Sequence, residues 1–316
     1  MIVGIDIGGS SIKGILTDKS GKIYSFREIP TPESAKSIDI AIYELVEYLA
    51  TSATVSKIDL RAIGIGAPGS VDRKKGVIIA SPNIPAWKKY PLVAAVEKRT
   101  GLKVFLENDA TVALVGAWWK GNGSRFRNWL MITLGTGIGG GAIIDNKIYT
   151  GQSGNSLEIG HTTIDYNGRE CACGNRGCLE TYASAPALVE YVRENLEKNS
   201  ESSIHARIKD EELTAKIIHE EAQNRDELAL SAFEEIAEYL GIGISNLINI
   251  FSPEAIIIGG GLSAAYKLII PGVKKVVSER AICGLKENVK FFPIKDPLRI
   301  PSLGAAKIAI DYMNES

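Results

Sequence analysis

The first hydrophobic positions of the chain form short apolar runs separated by turn residues. An apolar run, Ile2–Ile7, stops at Gly8-Gly9-Ser10-Ser11, and the strand pattern resumes over Ile12–Leu16. The turn Asp18–Gly21 then leads into a third stretch, Lys22–Ile29. This pattern predicts a β-hairpin followed by a third strand, which together form a meander.

Helical periodicity alternates with short apolar strands along the rest of the chain. In Ser37–Ala50, apolar residues recur at the spacing of one helix face. The other predicted helices are Pro91–Thr100, Ala110–Lys120, Pro186–Lys198, Glu211–Asn224, Glu227–Ile250, a helix from about Ser263, and Leu303–Met313. The other predicted strands are Arg61–Ile65, Val104–Glu107, Trp129–Leu134, Ala142–Ile144, Ala255–Ile258 and Val289–Phe292. Strands interleaved with helices predict an α/β fold.

The opening hairpin pattern occurs a second time. Segment Ile5–Asp18 aligns without gaps with Ile132–Asp145, and both read as apolar strand, small-residue turn, apolar strand and acidic turn. This repeat predicts a duplicated α/β fold of two lobes with a cleft between them. We expect the closing helix to return to the first lobe. The predicted lobes are therefore residues 1–113 plus 303–316 for the small N-terminal lobe, and 114–302 for the large lobe.

Charge and composition exclude several classes of protein. The 316 residues include 36 Lys and Arg against 37 Asp and Glu, a net charge of −1, which argues against a nucleic-acid-binding surface that works by bulk charge. Strand-like sequence begins at Ile2 with no charged leader and apolar core, and the longest weakly polar stretches are too short to span a membrane. We therefore expect a cytoplasmic protein with no membrane partner.

Glycine is in excess, with 32 residues against a usual share of about 7%. Three clusters, Gly8–Ser11, Gly135–Gly141 and Gly259–Gly261, each follow an apolar strand. Backbone N–H groups converge there without Cβ atoms in the way, so the three clusters together predict phosphate or nucleotide binding, although any one alone could be a tight turn. Gly135–Gly140 also has the dinucleotide-fingerprint spacing, but β-like sequence follows it where a helix should begin, which argues against a nicotinamide cofactor.

Two charged residues flank the first glycine cluster. Asp6 is well placed to hold Mg²⁺ beside a phosphate, usually through water, and its alternative role is to accept N–H bonds from the turn. Lys13 lies on the return strand and either reaches a phosphate or is simply solvated.

Four residues have the composition of a structural zinc site. His161 precedes Cys171, Cys173 and Cys178 by ten residues or more, and one nitrogen with three sulfur ligands completes tetrahedral zinc with no open position. Gly174 and Gly177 allow the chain to turn tightly between the thiols. The alternative is a set of free buried thiols. We expect a zinc loop over residues 161–178.

Five motifs together resemble the ROK family of sugar kinases and sugar-responsive repressors. They are Asp6–Lys13, Glu107–Ala110, Leu134–Gly141, Glu158–His161 and Cys171–Glu180, and they occur in order over nearly the whole chain. The resemblance implies a two-lobed actin-like, hexokinase-like (ribonuclease H-like) fold that binds ATP and a sugar. It implies phosphorylation of a hexose at the 6-hydroxyl. Glucose is the first expectation, and N-acetylmannosamine, fructose, mannose and allose are alternatives.

The resemblance also assigns roles to individual residues. Asp109 is the implied catalytic base, which agrees with the need for a carboxylate that accepts the sugar proton. The implied sugar-facing residues are Asn83, Asn108, Asp109, Glu158, His161 and Glu180; the phosphate-binding residues are Gly8, Gly9, Ser10, Gly135, Thr136 and Gly137; Gly260, Gly261 and the segment 302–304 would lie near adenosine. His161 would offer one ring nitrogen to zinc and the other to the sugar.

One departure from the family pattern bears on the substrate. Members usually carry Ala-Gly before the Glu of the Glu-x-Gly-His motif, and Ser156-Leu157 stands there in this chain. This leaves the identity of the hexose open, and Asn155 could compensate. Polyphosphate is the alternative donor, but no basic track stands out. Family repressors carry a helix-turn-helix before the kinase-like fold, so a first strand at Ile2 favours a kinase over a regulator. A homodimer or homotetramer is the implied assembly.

Overall fold

The computed structural model describes residues 1–56, 59–81, 84–152 and 156–315. The strands are β1 (Ile2–Ile7), β2 (Ser11–Thr17), β3 (Ile23–Pro30), β4 (Ala62–Ala67), β5 (Ser70–Asp72), β6 (Val77–Ala80), β7 (Lys88–Tyr90), β8 (Lys103–Asn108), β9 (Trp129–Leu134), β10 (Ile138–Ile144), β11 (Lys147–Ile148), β12 (Ala255–Gly259) and β13 (Lys290–Pro293). The α-helices are α1 (Ala35–Ser52), α2 (Leu92–Thr100), α3 (Asp109–Trp119), α4 (Glu180–Ala183), α5 (Ala185–Asn195), α6 (Ile204–Arg207), α7 (Ala215–Gln223), α8 (Glu227–Phe251), α9 (Tyr266–Arg280) and α10 (Ile300–Glu315).

The chain divides into two compact units. Unit 1 comprises Met1–Arg125 and Ile294–Ser316, and unit 2 comprises Phe126–Pro293. These boundaries differ from the predicted ones after residues 113 and 302, which would cut through α3 and α10. A helix is held by its own continuous hydrogen bonds, so both helices stay whole within unit 1.

Unit 1 is built on a mixed sheet with strand order β3-β2-β1-β4-β8. The β1–β2 and β2–β3 pairs are antiparallel, which confirms the predicted meander, and β1–β4 and β4–β8 are parallel. Buried Val3, Ile5 and Ile7 of β1 join one hydrophobic core with apolar residues of α1, including Ile38 and Leu45.

The closing helix α10 packs on this sheet, as predicted, and two glycines make the close approach possible. A Cβ on Gly4 would lie 2.0 Å from the backbone oxygen of Ser302, and one on Gly64 would lie 1.8 Å from that of Ala305. Part of the glycine excess therefore serves helix packing and not phosphate binding.

Unit 2 repeats the same strand topology. Its sheet has the order β11-β10-β9-β12-β13, with β9–β10 and β10–β11 antiparallel and β9–β12 and β12–β13 parallel. The predicted duplication is confirmed at this level. Residues Leu130, Ile132 and Leu134 of β9 share a hydrophobic core with α5, α8 and α9.

The two hairpins differ by one residue in their turns. In unit 1 Ile7 pairs with Ile12, whereas in unit 2 Leu134 pairs with Ile138. The gapless alignment that matched Gly14 with Gly141 is therefore wrong by one residue on the return strand. Gly140, which pairs with Ile132, is the structural counterpart of Gly14, which pairs with Ile5.

A small antiparallel sheet, β5-β6-β7, was not predicted from the sequence and lies within unit 1. Its three strands lie in the connection between the end of β4 and the start of α2. Among the described helices, none is long and apolar enough to cross a bilayer.

Candidate functional site

The carboxyl ends of three parallel strands bring predicted site residues to one edge of the first sheet. Asp6, near the end of β1, is level with Gly66 of β4, and Gly66 is level with Glu107 of β8. The strand β8 ends at Asn108, and α3 begins at Asp109. This edge of a parallel sheet is where α/β folds bind their ligands.

Asn108 fixes the backbone that presents Asp109. Its Oδ1 accepts from the N–H groups of Ala110 at 2.9 Å and Thr111 at 3.3 Å, as an N-cap of α3. Its Nδ2 donates to the backbone oxygen of Gly69 at 3.1 Å. The Asn108 side chain also hydrogen-bonds to the Asp109 carboxyl, so its groups mainly hold the site together, and its contact with a sugar stays a prediction.

Asp109 and Asp6 are partly shielded carboxyls, and both have raised pKa values. Burial raises the pKa of Asp109 to about 7, and the charge of Asp6 adds to this rise. Burial raises the pKa of Asp6 to about 6, against the opposing effect of Lys13, its cross-strand partner. A carboxylate with a pKa near neutrality is suited to accept a proton during catalysis.

A buried ion pair stands directly before Asn108. The Nε of Arg73 donates to Oε1 of Glu107 at 2.7 Å, and the same oxygen accepts from the N–H of Asn108 at 2.8 Å. The Glu107 side chain is 4% exposed and that of Arg73 is 21% exposed. Burial raises the pKa of Glu107, and the charge of Arg73 opposes this rise. The pair ties the β5–β6 turn to the strand end that carries Asn108.

We expect Arg73→Gln to lower the free energy of unfolding by about 3 kcal/mol, because it leaves Glu107 buried without its cation. The double variant Arg73→Gln/Glu107→Gln should recover part of this loss, since two amides can share the hydrogen bond without a buried charge. Urea denaturation measures both values. The control is Lys75→Gln on the same turn, whose exposed pair with Asp72 should contribute little to the free energy of unfolding. Equal losses in Arg73→Gln and Lys75→Gln would contradict the assignment.

The first glycine cluster forms a braced turn between β1 and β2. The N–H of Gly8 donates to the Ser11 backbone oxygen at 2.9 Å. Thr31, directly after β3, holds the turn: its Oγ1 donates to the Gly8 oxygen at 2.7 Å and its N–H to the Ser10 oxygen at 3.1 Å. Gly9 and Ser10 are exposed at its tip, which fits the predicted contact with phosphate.

Lys13 does not extend from this turn. It lies opposite Asp6 in the β1–β2 ladder, and its Nζ is 3.9 Å from Oε1 of Glu28 on β3. The structure thus places Lys13 near two carboxylates, and its contact with a phosphate stays a prediction.

The second and third glycine clusters meet at the carboxyl edge of the second sheet. The predicted loop Gly135–Gly141 is shorter than expected: Gly135–Gly137 form the turn, and β10 begins at Ile138. Gly260 follows β12 with φ of 79°, and a Cβ there would lie 2.3 Å from the backbone oxygen of Leu134. Both turns thus lie side by side, with Thr136, Gly260 and Gly261 exposed.

The segment 302–304, predicted to lie near adenosine, is buried. Ser302 is fully buried, and its Oγ donates to the Lys13 backbone oxygen at 3.1 Å. A Cβ on Gly304 would lie 1.7 Å from the backbone oxygen of Val112. These residues pack α10 against β2 and α3, and their place near adenosine stays a prediction.

Glu158 is presented by a tight turn. It has φ −69° and ψ 58°, and the N–H of Ile159 reaches back to the Leu157 oxygen at 2.7 Å, which is an inverse γ-turn. Leu157 has φ of 62°, in the left-handed region that favours glycine. Leu157 therefore stands where the family usually has glycine and keeps the backbone conformation that glycine favours. What differs from the family pattern is its side chain, which lies beside Glu158 in the sequence and packs against the core of unit 2.

The four predicted metal ligands converge. The ligand atoms of His161, Cys171, Cys173 and Cys178 all lie within 4.8 Å of one another. Nδ1 of His161 is 3.7 Å from the Cys171 sulfur, and the Cys173 and Cys178 sulfurs are 3.7 Å apart. Two thiolates on one tetrahedral zinc are about 3.8 Å apart, given Zn–S bonds of about 2.3 Å. The set of donors fits a structural zinc ion.

The loop around the four ligands turns tightly at two glycines. Gly174 and Gly177 have φ of 90° and 72°, and a Cβ on Gly177 would lie 1.7 Å from the Asp165 backbone oxygen. Burial and the neighbouring thiols raise the pKa of Cys178 to about 12. Such a thiol ionises readily only when a bound cation compensates the charge. Since Nδ1 of His161 faces the sulfurs, its Nε2 remains for a second partner.

Glu180 begins α4, two residues after Cys178, and its Oε2 accepts from the N–H of Ile138 at 2.9 Å.

Asn83, also predicted to face the sugar, lies outside the described residues, as does Asn155. The sequence reasoning missed Arg73 and gave Glu107 no role of its own. A carboxylate preceding Asn-Asp was visible, but its partner lies 34 residues away.

Comparison with known proteins gives consistent matches. A profile of the ROK family matches residues 2–312. Glucokinase of Halalkalibacterium halodurans is 38% identical over 306 residues, 96% of this chain and 90% of that protein. Xylose repressor of Caldicellulosiruptor bescii is 31% identical over 314 residues, 99% of this chain and 78% of that protein. A crystal structure of a ROK family glucokinase from Streptomyces griseus with glucose and AMPPNP has a TM-score of 0.87 and 34% identity, and the match covers 98% of this chain and 99% of that one.

Proposed function

The chain belongs to the ROK family, and on that premise we propose that it is an ATP-dependent hexose kinase that phosphorylates the 6-hydroxyl, with glucose as its preferred sugar. The observation that carries the proposal is Asp109. It stands at the carboxyl edge of the first sheet, held by the Asn108 cap, and its pKa is raised to about 7 by burial and Asp6. The glucokinases among the relatives support the choice of glucose.

Asp109 acts as the general base. A sugar hydroxyl is a weak nucleophile, and a carboxylate that accepts its proton as it attacks the γ-phosphorus speeds the transfer. The proton moves from the hydroxyl oxygen to the Asp109 carboxylate, the new bond forms between that oxygen and phosphorus, and ADP departs with the electrons of the broken bond.

Positioning accounts for most of the remaining catalysis. In unit 1, the turn tip at Gly9 and Ser10 offers backbone N–H groups to phosphate. In unit 2, the turn Gly135–Gly137 offers the same, and exposed Gly260 and Gly261 lie beside it. In the proposal, sugar hydroxyls are bound by Glu158, Nε2 of His161 and Glu180, because each supplies a hydrogen-bonding oxygen or ring nitrogen.

Asp6 fits the role of holding Mg²⁺, usually through water. The charge of Asp6 raises the pKa of Asp109, and a divalent cation beside two such carboxylates would stabilise their ionised forms. When bound, Mg²⁺ would neutralise charge on the phosphates. Asp6 lies near the end of β1, beside the Gly8–Ser11 turn, which is the turn that we propose binds phosphate.

A coupled ADP-release assay tests the proposal across glucose, mannose, fructose, allose, N-acetylglucosamine and N-acetylmannosamine. We expect glucose to give the highest kcat/KM, by at least about tenfold over an epimer, because each lost hydroxyl contact leaves a site group unpaired. N-Acetylmannosamine is the principal alternative, since Leu157 alters the surroundings of Glu158. ADP release that no sugar stimulates would contradict the kinase assignment.

A second candidate, a sugar-sensing regulator, has one observation in its favour. The xylose repressor matches 99% of this chain, so the fold itself serves both classes. The Asp109 base favours the enzyme, because a sensor needs no proton acceptor. Retention of a specific DNA fragment at moderate salt would favour the regulator. We also propose the cytoplasmic location that the sequence led us to expect and, from the family resemblance, a homodimer or homotetramer.

A further inference from the structure

Glu180 contacts the turn Gly135–Gly137 directly. Its Oε2 accepts from the N–H of Ile138 at 2.9 Å, at the point where the turn enters β10. A Cβ on Gly137 would lie 2.2 Å from the same oxygen. Glycine at 137 is therefore what allows the carboxylate to reach the backbone of the turn.

A second hydrogen bond joins the same two segments. The N–H of Ala185 donates to the backbone oxygen of Gly135 at 2.8 Å. Between Glu180 and Ala185 lies only the single turn of α4. The segment 180–185 thus holds the glycine turn at both ends, through Glu180 at Ile138 and through Ala185 at Gly135.

Glu180 is also anchored to the zinc loop. The N–H of Thr181 donates to the Cys178 oxygen at 3.0 Å, and the N–H of Leu179 donates to the Thr162 oxygen at 2.9 Å. Because the backbone of Glu180 is fixed in this way, its carboxylate orientation depends on the bond from Ile138. Oε2 accepts that bond, so the proposal assigns Oε1 to a ligand.

We propose that this contact couples the two substrates. If Gly135–Gly137 bind the nucleotide phosphates and Glu180 binds the sugar, as the proposed function holds, then a phosphate bound on the turn restrains the Ile138 N–H and with it the Glu180 carboxylate. Sugar then binds an already oriented acceptor. Coupling between two binding sites is reciprocal, so the sugar must strengthen nucleotide binding by the same factor.

Titration calorimetry with glucose, alone and with saturating AMPPNP, measures the coupling factor. In the wild type we expect glucose to bind about tenfold more tightly with AMPPNP present, and AMPPNP to bind about tenfold more tightly with glucose present. In Gly137→Ala the methyl group displaces the end of the Glu180 side chain, so the factor should fall to about one. The fold should survive, because only a flexible carboxylate has to move.

The matched control is Gly135→Ala, in the same turn, where an added Cβ meets no atom within 4 Å. It should keep the coupling factor even if it changes nucleotide affinity. Glu180→Ala, a second test, should bind AMPPNP alone like the wild type but show no coupling. A wild-type factor in Gly137→Ala or Glu180→Ala would overturn the proposal, as would two ligands that bind the wild type independently. A wild type that binds neither glucose nor AMPPNP would instead overturn the proposed function beneath it.

Discussion

We expect Asp109→Asn to lower kcat by about 10²- to 10⁴-fold, the usual range for losing a general base. Asparagine keeps an oxygen for the Ala110 N–H but accepts no proton at neutral pH. Steady-state ADP release measures the loss, and calorimetry should show that glucose still binds. A kcat close to that of the wild type would remove Asp109 from the role of base.

The same variant should be more stable than the wild type, which separates lost chemistry from misfolding. Burial and Asp6 raise the pKa of Asp109 from its usual 3.8 to about 7. The stabilising contribution of the protonated form is therefore complete below pH 3.8 and is lost as the pH rises through about 7. Above that pH the folded wild type bears the cost of an ionised, shielded carboxylate. Removing it should raise the free energy of unfolding by at least about 1 kcal/mol, as one pKa unit corresponds to about 1.4 kcal/mol.

The activity of the wild type should follow the same titration. Since only the ionised carboxylate accepts a proton, kcat/KM of the free enzyme should fall about tenfold per pH unit below a pKa near 7. The residual activity of Asp109→Asn should lack this acid limb. An acid limb that persists unchanged in the variant would assign the titration to another group.

Loss of the metal site should strongly lower the stability of the protein. Freshly purified wild type should contain about one Zn²⁺ per chain, and Cys178→Ser should lose it, because a hydroxyl is a poor replacement for a buried thiolate ligand. We expect the free energy of unfolding to fall by roughly 4 kcal/mol or more, which corresponds to a Tm lower by about 10 °C for a unit of this size. Elemental analysis and thermal unfolding measure the two effects.

Cys283→Ser is the matched control for this experiment. Cys283 is exposed and lies outside the group of ligands. Its replacement should leave the zinc content and Tm unchanged. Active wild type without zinc, or equal melting of the two serine variants, would refute a structural metal at His161, Cys171, Cys173 and Cys178.

Local patterns predicted most of the framework. Apolar runs such as Ile2–Ile7 and the helical periodicity of Ser37–Ala50 depend on neighbours in the sequence, and β1 and α1 appear where these patterns placed them. The metal ligands were also recognisable, because three thiols fall within eight residues and a histidine stands ten residues before them. The repeated hairpin anticipated two sheets of equal topology.

Features that depend on tertiary contacts could not be predicted in this way. The strand β7, Lys88–Tyr90, has little apolar pattern and is defined by its pairing with β6. The turn of the second hairpin is one residue shorter than that of the first, and residue identities alone do not set such a register. Likewise, the bonds from Arg73 to Glu107 and from Ile138 to Glu180 join residues 34 and 42 positions apart.

The central claim is transfer of the γ-phosphoryl group of ATP to the 6-hydroxyl of glucose. Phosphorus NMR of a reaction that contains the wild-type protein, ATP, Mg²⁺ and glucose tests it most directly. We predict that glucose 6-phosphate and ADP appear in equal amounts and that Asp109→Asn forms neither at a comparable rate. Formation of inorganic phosphate without a sugar phosphate, or phosphate on a different hydroxyl, would contradict it.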